Sequence, residues 1–155
     1  MRTPTLAMMA FLACALTAVA GEAFKLYPGA IKYTPPDTEQ TRQWASALPP
    51  GTTITAYLTK DSFDKVVAFY RGLGRPYTSP NTPVGDKLPN GQRVETAFLI
   101  FDDAPDLRTS RSWISIRHPF IRSVSHEKGG VPQYRVRDVT EIVLTQKEAA
   151  PKNTK

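Results

Sequence analysis

From residue 94 onward the chain alternates apolar and other residues in three successive segments separated by polar links. In Val94–Phe101, Val94, Thr96, Phe98 and Ile100 oppose Glu95, Ala97, Leu99 and Phe101. In Ser112–His118, Ile114 and Ile116 alternate with Trp113, Ser115 and Arg117. In Arg135–Gln146, Thr140, Ile142 and Leu144 oppose Val139, Glu141 and Val143. A period of two sends neighbouring side chains to opposite faces, so each segment predicts a strand. Consecutive strands joined by short polar links favour antiparallel pairing, with the helices gathered on one face. Phe120 and Ile121 are expected to extend the second strand past Pro119, and Gly129-Gly130 to turn the chain back.

Thr52–Thr59 predicts a further strand, with Ile54, Ala56 and Leu58 on one face and Thr53, Thr55, Tyr57 and Thr59 on the other. Asp61-Ser62-Phe63-Asp64 then reads as a helix N-cap. Phe63, Val66, Val67 and Tyr70 form one apolar stripe at helical spacing. Gly72 and Gly74 offer a left-handed stop. An earlier short helix is expected from Pro35 to about Leu48, capped by Thr34 with Asp37 as the capping-box acid, and ended by Pro49-Pro50-Gly51. Residues 21–36 read as an extended entry segment turning at Tyr27-Pro28-Gly29-Ala30. Residues 75–92 hold four prolines and two glycines and read as a long surface loop. The expected fold is α+β: an antiparallel sheet of four to five strands with one or two helices packed on one face.

The N-terminus bounds the compartment. Arg2 precedes the uncharged run Leu6–Ala20, and Ala18-Val19-Ala20 places small residues before Gly21. This pattern predicts a signal peptide over 1–20 cleaved between Ala20 and Gly21, a single domain over 21–147 and a disordered tail over 148–155. The run is shorter than the ~20 residues that cross a bilayer, and no second long apolar run follows it, so no transmembrane segment is expected after cleavage. The chain carries 20 basic and 14 acidic residues. Arg2 is the only charge in the leader, so the mature chain keeps a net +5. The single cysteine, Cys14, leaves with the leader, which excludes disulfides, thiolate nucleophiles and cysteine metal sites from the mature chain. As a lipobox cysteine, Cys14 fits poorly after Phe11-Leu12-Ala13. The expected location is periplasmic or secreted, in a bacterium.

Between Arg108 and Arg137 seven basic residues stand against one acid, Glu127. Arg111, Trp113, Arg117, Arg122 and Arg137 are the expected ligand-binding set, gathered on one sheet face where an aromatic plane and guanidinium groups meet an anion. An ordinary solvated basic face is the plainer alternative. Outside the cytoplasm the matching partners are anionic lipid, cell-wall carboxylates or an acidic protein, and not nucleic acid. His118 and His126 have no metal-ligand spacing, and Asp102, Asp103 and Asp106 lack the calcium-loop pattern. Ser125-His126-Glu127 are chain neighbours that point apart, so they form no catalytic triad. No nucleophile elbow, phosphate loop or dinucleotide motif is present, and no cofactor is expected.

Tyr27-Pro28-Gly29-Ala30, Thr59–Tyr70 and Trp113-Ile114-Ser115-Ile116 together resemble an uncharacterised family of small secreted or periplasmic bacterial proteins. The resemblance implies a helix ending in Phe-Tyr on an antiparallel sheet, with Asp61 capping the helix and Val66, Val67 and Tyr70 packing. It brings no catalytic residue. The expected function is an exported, non-catalytic module that binds an anionic envelope component. The alternatives are a metal-assisted hydrolase using His118 or His126 with Asp102, Asp103 or Asp106, and a structural subunit of an envelope assembly.

Overall fold

The computed structural model describes residues 24–80, 87–88, 90–125 and 133–148. The leader, His126, Gly129-Gly130 and the tail from residue 149 lie outside them. The chain is α+β. Strands β1 (Ile31–Tyr33), β2 (Thr52–Thr59), β3 (Arg75–Tyr77), β4 (Glu95–Ile100), β5 (Ser112–His118) and β8 (Thr140–Lys147) form one sheet in the order β1-β2-β8-β5-β4-β3. Every neighbouring pair is antiparallel. Strands β6 (Phe120–Ser125) and β7 (Gln133–Arg137) make a separate antiparallel hairpin. The main sheet therefore has one strand more than the upper end of the four to five expected. The helices are α1 (Glu39–Ser46) and α2 (Phe63–Arg71).

The alternation sets which residues meet α2. Ile114 lies opposite Leu144 and Leu99, and Ile116 opposite Ile142 and Ala97, so these side chains share one face. Onto that face α2 presses Val66, Val67 and Tyr70, all buried. Each such side chain contributes roughly 1.5–3 kcal/mol relative to exposure. The entry segment completes this layer, which its sequence does not announce. Phe24 stacks between Tyr57 and Tyr70, at centroid distances of 6.1 and 6.0 Å. Tyr27 meets Phe69 edge-on at 5.1 Å. The backbone N–H of Tyr27 donates to the buried Tyr70 hydroxyl at 3.1 Å.

Helix α1 departs from expectation in start and placement. Its N-cap is Thr38, whose hydroxyl accepts from the Thr41 N–H, with the Thr41 hydroxyl accepting in return from the Thr38 N–H. Thr34 and Asp37 therefore do not cap it. Its sequence, EQTRQWAS, has one large apolar side chain, Trp44, and the helix buries none of its residues. With no apolar stripe it cannot join α2 on the sheet, so α2 alone covers that face. At α2 itself, Ser62 occupies the N-cap position without a side-chain hydrogen bond, and Asp61 bonds elsewhere.

Three further differences have local causes. Arg75–Tyr77 is a strand where a loop was expected, and an isolated bridge joins Lys87, in the same stretch, to Arg93 just after it. Pro119 has no N–H to continue a ladder, so β5 ends at His118 and the chain leaves the main sheet. The last expected strand breaks at Asp138: the Val139 N–H folds back onto the Arg137 carbonyl at 2.8 Å, dividing β7 from β8. Gly72 and Gly74 supply no left-handed stop. Gly72 is right-handed helical at φ −79, and positive φ occurs among the described glycines only at Gly29, Gly51 and Gly91.

Gly74 matters instead for space. A Cβ there would stand 2.9 Å from Cε1 of buried Phe101 and 3.2 Å from the Ile100 carbonyl oxygen. Gly74→Ala should therefore lower stability by about 1–3 kcal/mol in chemical denaturation, whereas Gly72→Ala, with only ordinary contact at 3.7 Å, should change little.

Candidate functional site

Two turns and an edge strand enclose a cleft of about 510 Å³ at one corner of the sheet. The first turn is Tyr27–Ala30, closed by the Ala30 N–H donating to the Tyr27 carbonyl at 3.1 Å. Pro28 fixes φ at its second position, and Gly29 at φ +76 supplies the left-handed third. The chain then runs into β1, so Pro28, Gly29, Ile31, Lys32 and Tyr33 form one wall. Leu58–Asp61, leaving β2, form the floor, and Arg137 and Val139 of the β7–β8 connection form the other wall. The Tyr33 ring is held edge-on against Phe120 at 5.0 Å, which fixes the hairpin to this corner.

The cleft is electrostatically one-sided. Lys32, Lys60 and Arg137 are exposed, and none makes an ion pair among the described residues. Its one carboxylate, Asp61, is already engaged. Lys65 donates to Oδ1 at 2.9 Å, and the Tyr27 hydroxyl donates to Oδ2 at 2.7 Å. The Lys65 bond, then the Tyr27 bond, hold the Asp61 carboxyl below its ordinary pKa. In return, burial followed by the Asp61 carboxylate pushes the Tyr27 phenol up, and Asp61 raises the Lys65 ammonium. Cations that lack partners beside a neutralised carboxylate make a surface that attracts anions.

Of the five basic-face residues expected from the sequence, Arg137 alone lines this cleft. Arg111 and Arg117 flank opposite ends of β5, about 20 Å apart at the rise of an extended chain. Trp113 does share a face with Ser115 and Arg117, the face turned away from α2. Its ring is covered by this chain's own cation: Lys147 Nζ lies 4.7 Å from the centroid and donates to the Arg108 carbonyl at 3.0 Å. Arg117 stands opposite Glu141 in the β5–β8 register. Burial raises the Glu141 carboxyl, and Arg117 works against that rise. Arg122 is exposed on β6 and is not among the cleft's lining residues. Lys32 and Lys60 escaped the sequence reading because nothing local joins them. Their only signal was position, one just after a Pro-Gly turn and one just before a helix.

The loop acids do structural work. Asp102 accepts from the Ser110 hydroxyl at 2.8 Å and the Arg111 N–H at 2.6 Å. Burial works to raise its carboxyl, and these donors outweigh it and hold it low. Asp106 accepts from the Thr109 N–H at 2.8 Å, which likewise lowers it. Asp103 is exposed. His118 sits at the far end of β5 from Asp102, again about 20 Å away and beyond any shared metal–ligand geometry. Its ring nitrogens are both occupied, by Thr140 Oγ1 at 3.2 Å and Asp138 Oδ1 at 3.2 Å. The Thr140 hydroxyl gives its proton to the Asp61 carbonyl at 2.7 Å, so His118 Nδ1 is the donor in that contact. No group of three His, Cys, Asp or Glu side chains is placed to hold a metal among the described residues.

Asp61, Asp102 and Asp106 each have a folded pKa below the unfolded value near 3.9. Depressed acids add stability that is complete above the unfolded pKa and disappears as pH falls through the folded one. The melting temperature followed by circular dichroism should therefore fall from its neutral-pH plateau below about pH 4, with the raised Glu141 carboxyl opposing part of that fall. Asp102→Asn should lower the plateau and flatten the acid slope.

Compared with known proteins, the chain matches no family model, no curated protein and no solved structure.

Proposed function

We propose that this chain is an exported, non-catalytic binding module that holds an anionic envelope component in the corner cleft. One observation carries the reading: three cationic residues, Lys32, Lys60 and Arg137, line a single cavity whose only acid is paired with Lys65. Phosphate and carboxylate groups suit this site, because charge-assisted hydrogen bonds from three cations stabilise them more than any neutral group. The cleft's apolar members, Ile31, Leu58 and Val139, give such a ligand a non-polar side to rest on. The leader-like segment before Gly21 supports an envelope location, where anionic lipid, cell-wall polymer and acidic protein supply that chemistry. Among the described residues no helix is long and apolar enough to cross a membrane.

A second reading, a subunit of an envelope assembly, draws on the sheet face opposite α2. There Ile54, Ala56, Leu58, Phe98 and Val143 are half-buried with no helix over them.

Amide chemical shifts in a titration with glycerol 1-phosphate test the first reading. The expected result is saturable movement at Lys32, Lys60 and Arg137, weakened at least about ten-fold by Lys60→Ala with Arg137→Ala and by raised salt. Movement confined to Arg111, Trp113 and Arg117, or none at all, would remove the cleft from consideration.

A further inference from the structure

Three large hydrophobic side chains are exposed among the described residues, and two of them bracket the Tyr27–Ala30 turn. Leu26 is 45% exposed and Ile31 is 74% exposed, while Tyr27 between them is buried to 4%. The order Lys25-Leu26, turn, Ile31-Lys32 places an aliphatic tip and then a lysine on each arm. Ile31 pairs with Leu58 on one side only, because β1 is the edge of the sheet. Folding does not account for leaving both tips in water, since the buried Tyr27 anchors the segment by its N–H and its hydroxyl. Pro28 and the left-handed Gly29 make the turn stiff, so little entropy is lost when it meets a partner.

We propose that this turn docks the protein on the surface of a bilayer rich in anionic lipid. Leu26 and Ile31 enter the boundary between headgroups and acyl chains, while Lys25, Lys32, Lys60 and Arg137 lie at the level of the phosphates. The proposal rests on the cleft being an anion site and adds the apolar depth that a soluble anion would not need. Charge selects the partner. Lys25, like the three cleft cations, makes no ion pair among the described residues. A second copy would bring the same cations face to face, whereas anionic headgroups complement them. The projecting tips suit a yielding lipid surface better than a preformed protein groove.

Co-sedimentation with vesicles tests the idea, comparing phosphatidylcholine alone with phosphatidylcholine plus phosphatidylglycerol. The wild-type chain should bind only the anionic vesicles and be released by salt. Leu26→Ser should weaken that binding about five-fold or more while the glycerol 1-phosphate shifts at Lys32, Lys60 and Arg137 persist, since Leu26 does not line the cleft. Ile31→Ser added to it should weaken vesicle binding further, and an Ile31→Trp variant should show blue-shifted emission on the same vesicles. Vesicle binding indifferent to Leu26 and Ile31, or absent while the phosphate shifts remain, overturns the docking and leaves the cleft reading standing. Loss of the shifts as well overturns both. Binding to soluble polyglutamate with the same dependence on Leu26 and Ile31 assigns the turn to an acidic protein and overturns the lipid proposal.

Discussion

Asp61 is bonded through both its side chain and its backbone, and the corner between β2 and α2 depends on it. Its carboxylate receives the Tyr27 hydroxyl and the Lys65 ammonium, and its carbonyl receives the Thr140 hydroxyl. Three segments remote in sequence are thereby tied at one residue: the entry segment, the first turn of α2 and the start of β8. Thr140 is fully buried, so its hydroxyl must find a partner or lose a hydrogen bond without compensation from water. That requirement fixes where β8 begins, and the chain breaks from β7 immediately before it. His118 then donates to the same hydroxyl and sets the end of β5 against the start of β8.

This arrangement accounts for the cleft. Tyr27 can stay buried only with partners for its hydroxyl and its N–H, and Asp61 and Tyr70 provide them. Holding Tyr27 inward forces its chain neighbours outward, which is how Leu26 comes to face solvent and how β1, with Lys32, comes to line the cleft. The chemistry of the site is thus a by-product of anchoring the entry segment. The same network neutralises the one acid that would otherwise cancel the surrounding cations.

What the sequence disclosed follows from how local each signal is. Strand β5 was legible over Ser112–His118, where Ile114 and Ile116 alternate cleanly, but Phe120 and Ile121, expected to extend it past Pro119, instead open β6. The α2 stripe of Val66, Val67 and Tyr70 was equally plain, since helical spacing needs only nearby residues. Strand β1 was not, because Ile31-Lys32-Tyr33 is too short to show a period and owes its form to pairing with β2. The division of β7 from β8 was hidden for a related reason: Asp138 interrupts the alternation by one position, and the decisive contact, Thr140 to Asp61, spans 79 residues. For the site, Arg137 stood out within a basic stretch, while Lys32 and Lys60 join it only through tertiary structure. Trp113 was placed on the correct face, yet its covering by Lys147 depends on the β5–β8 register.

The large sheet closes at each margin with a strand of only three residues, β1 on one side and β3 on the other. Pro35-Pro36 soon follows the first, and Pro76 lies inside the second, so both rims are poor in backbone donors. A second molecule meeting β1 or β3 finds only three residues of ladder to extend. The two margin strands are therefore poor templates for fibrillar self-addition.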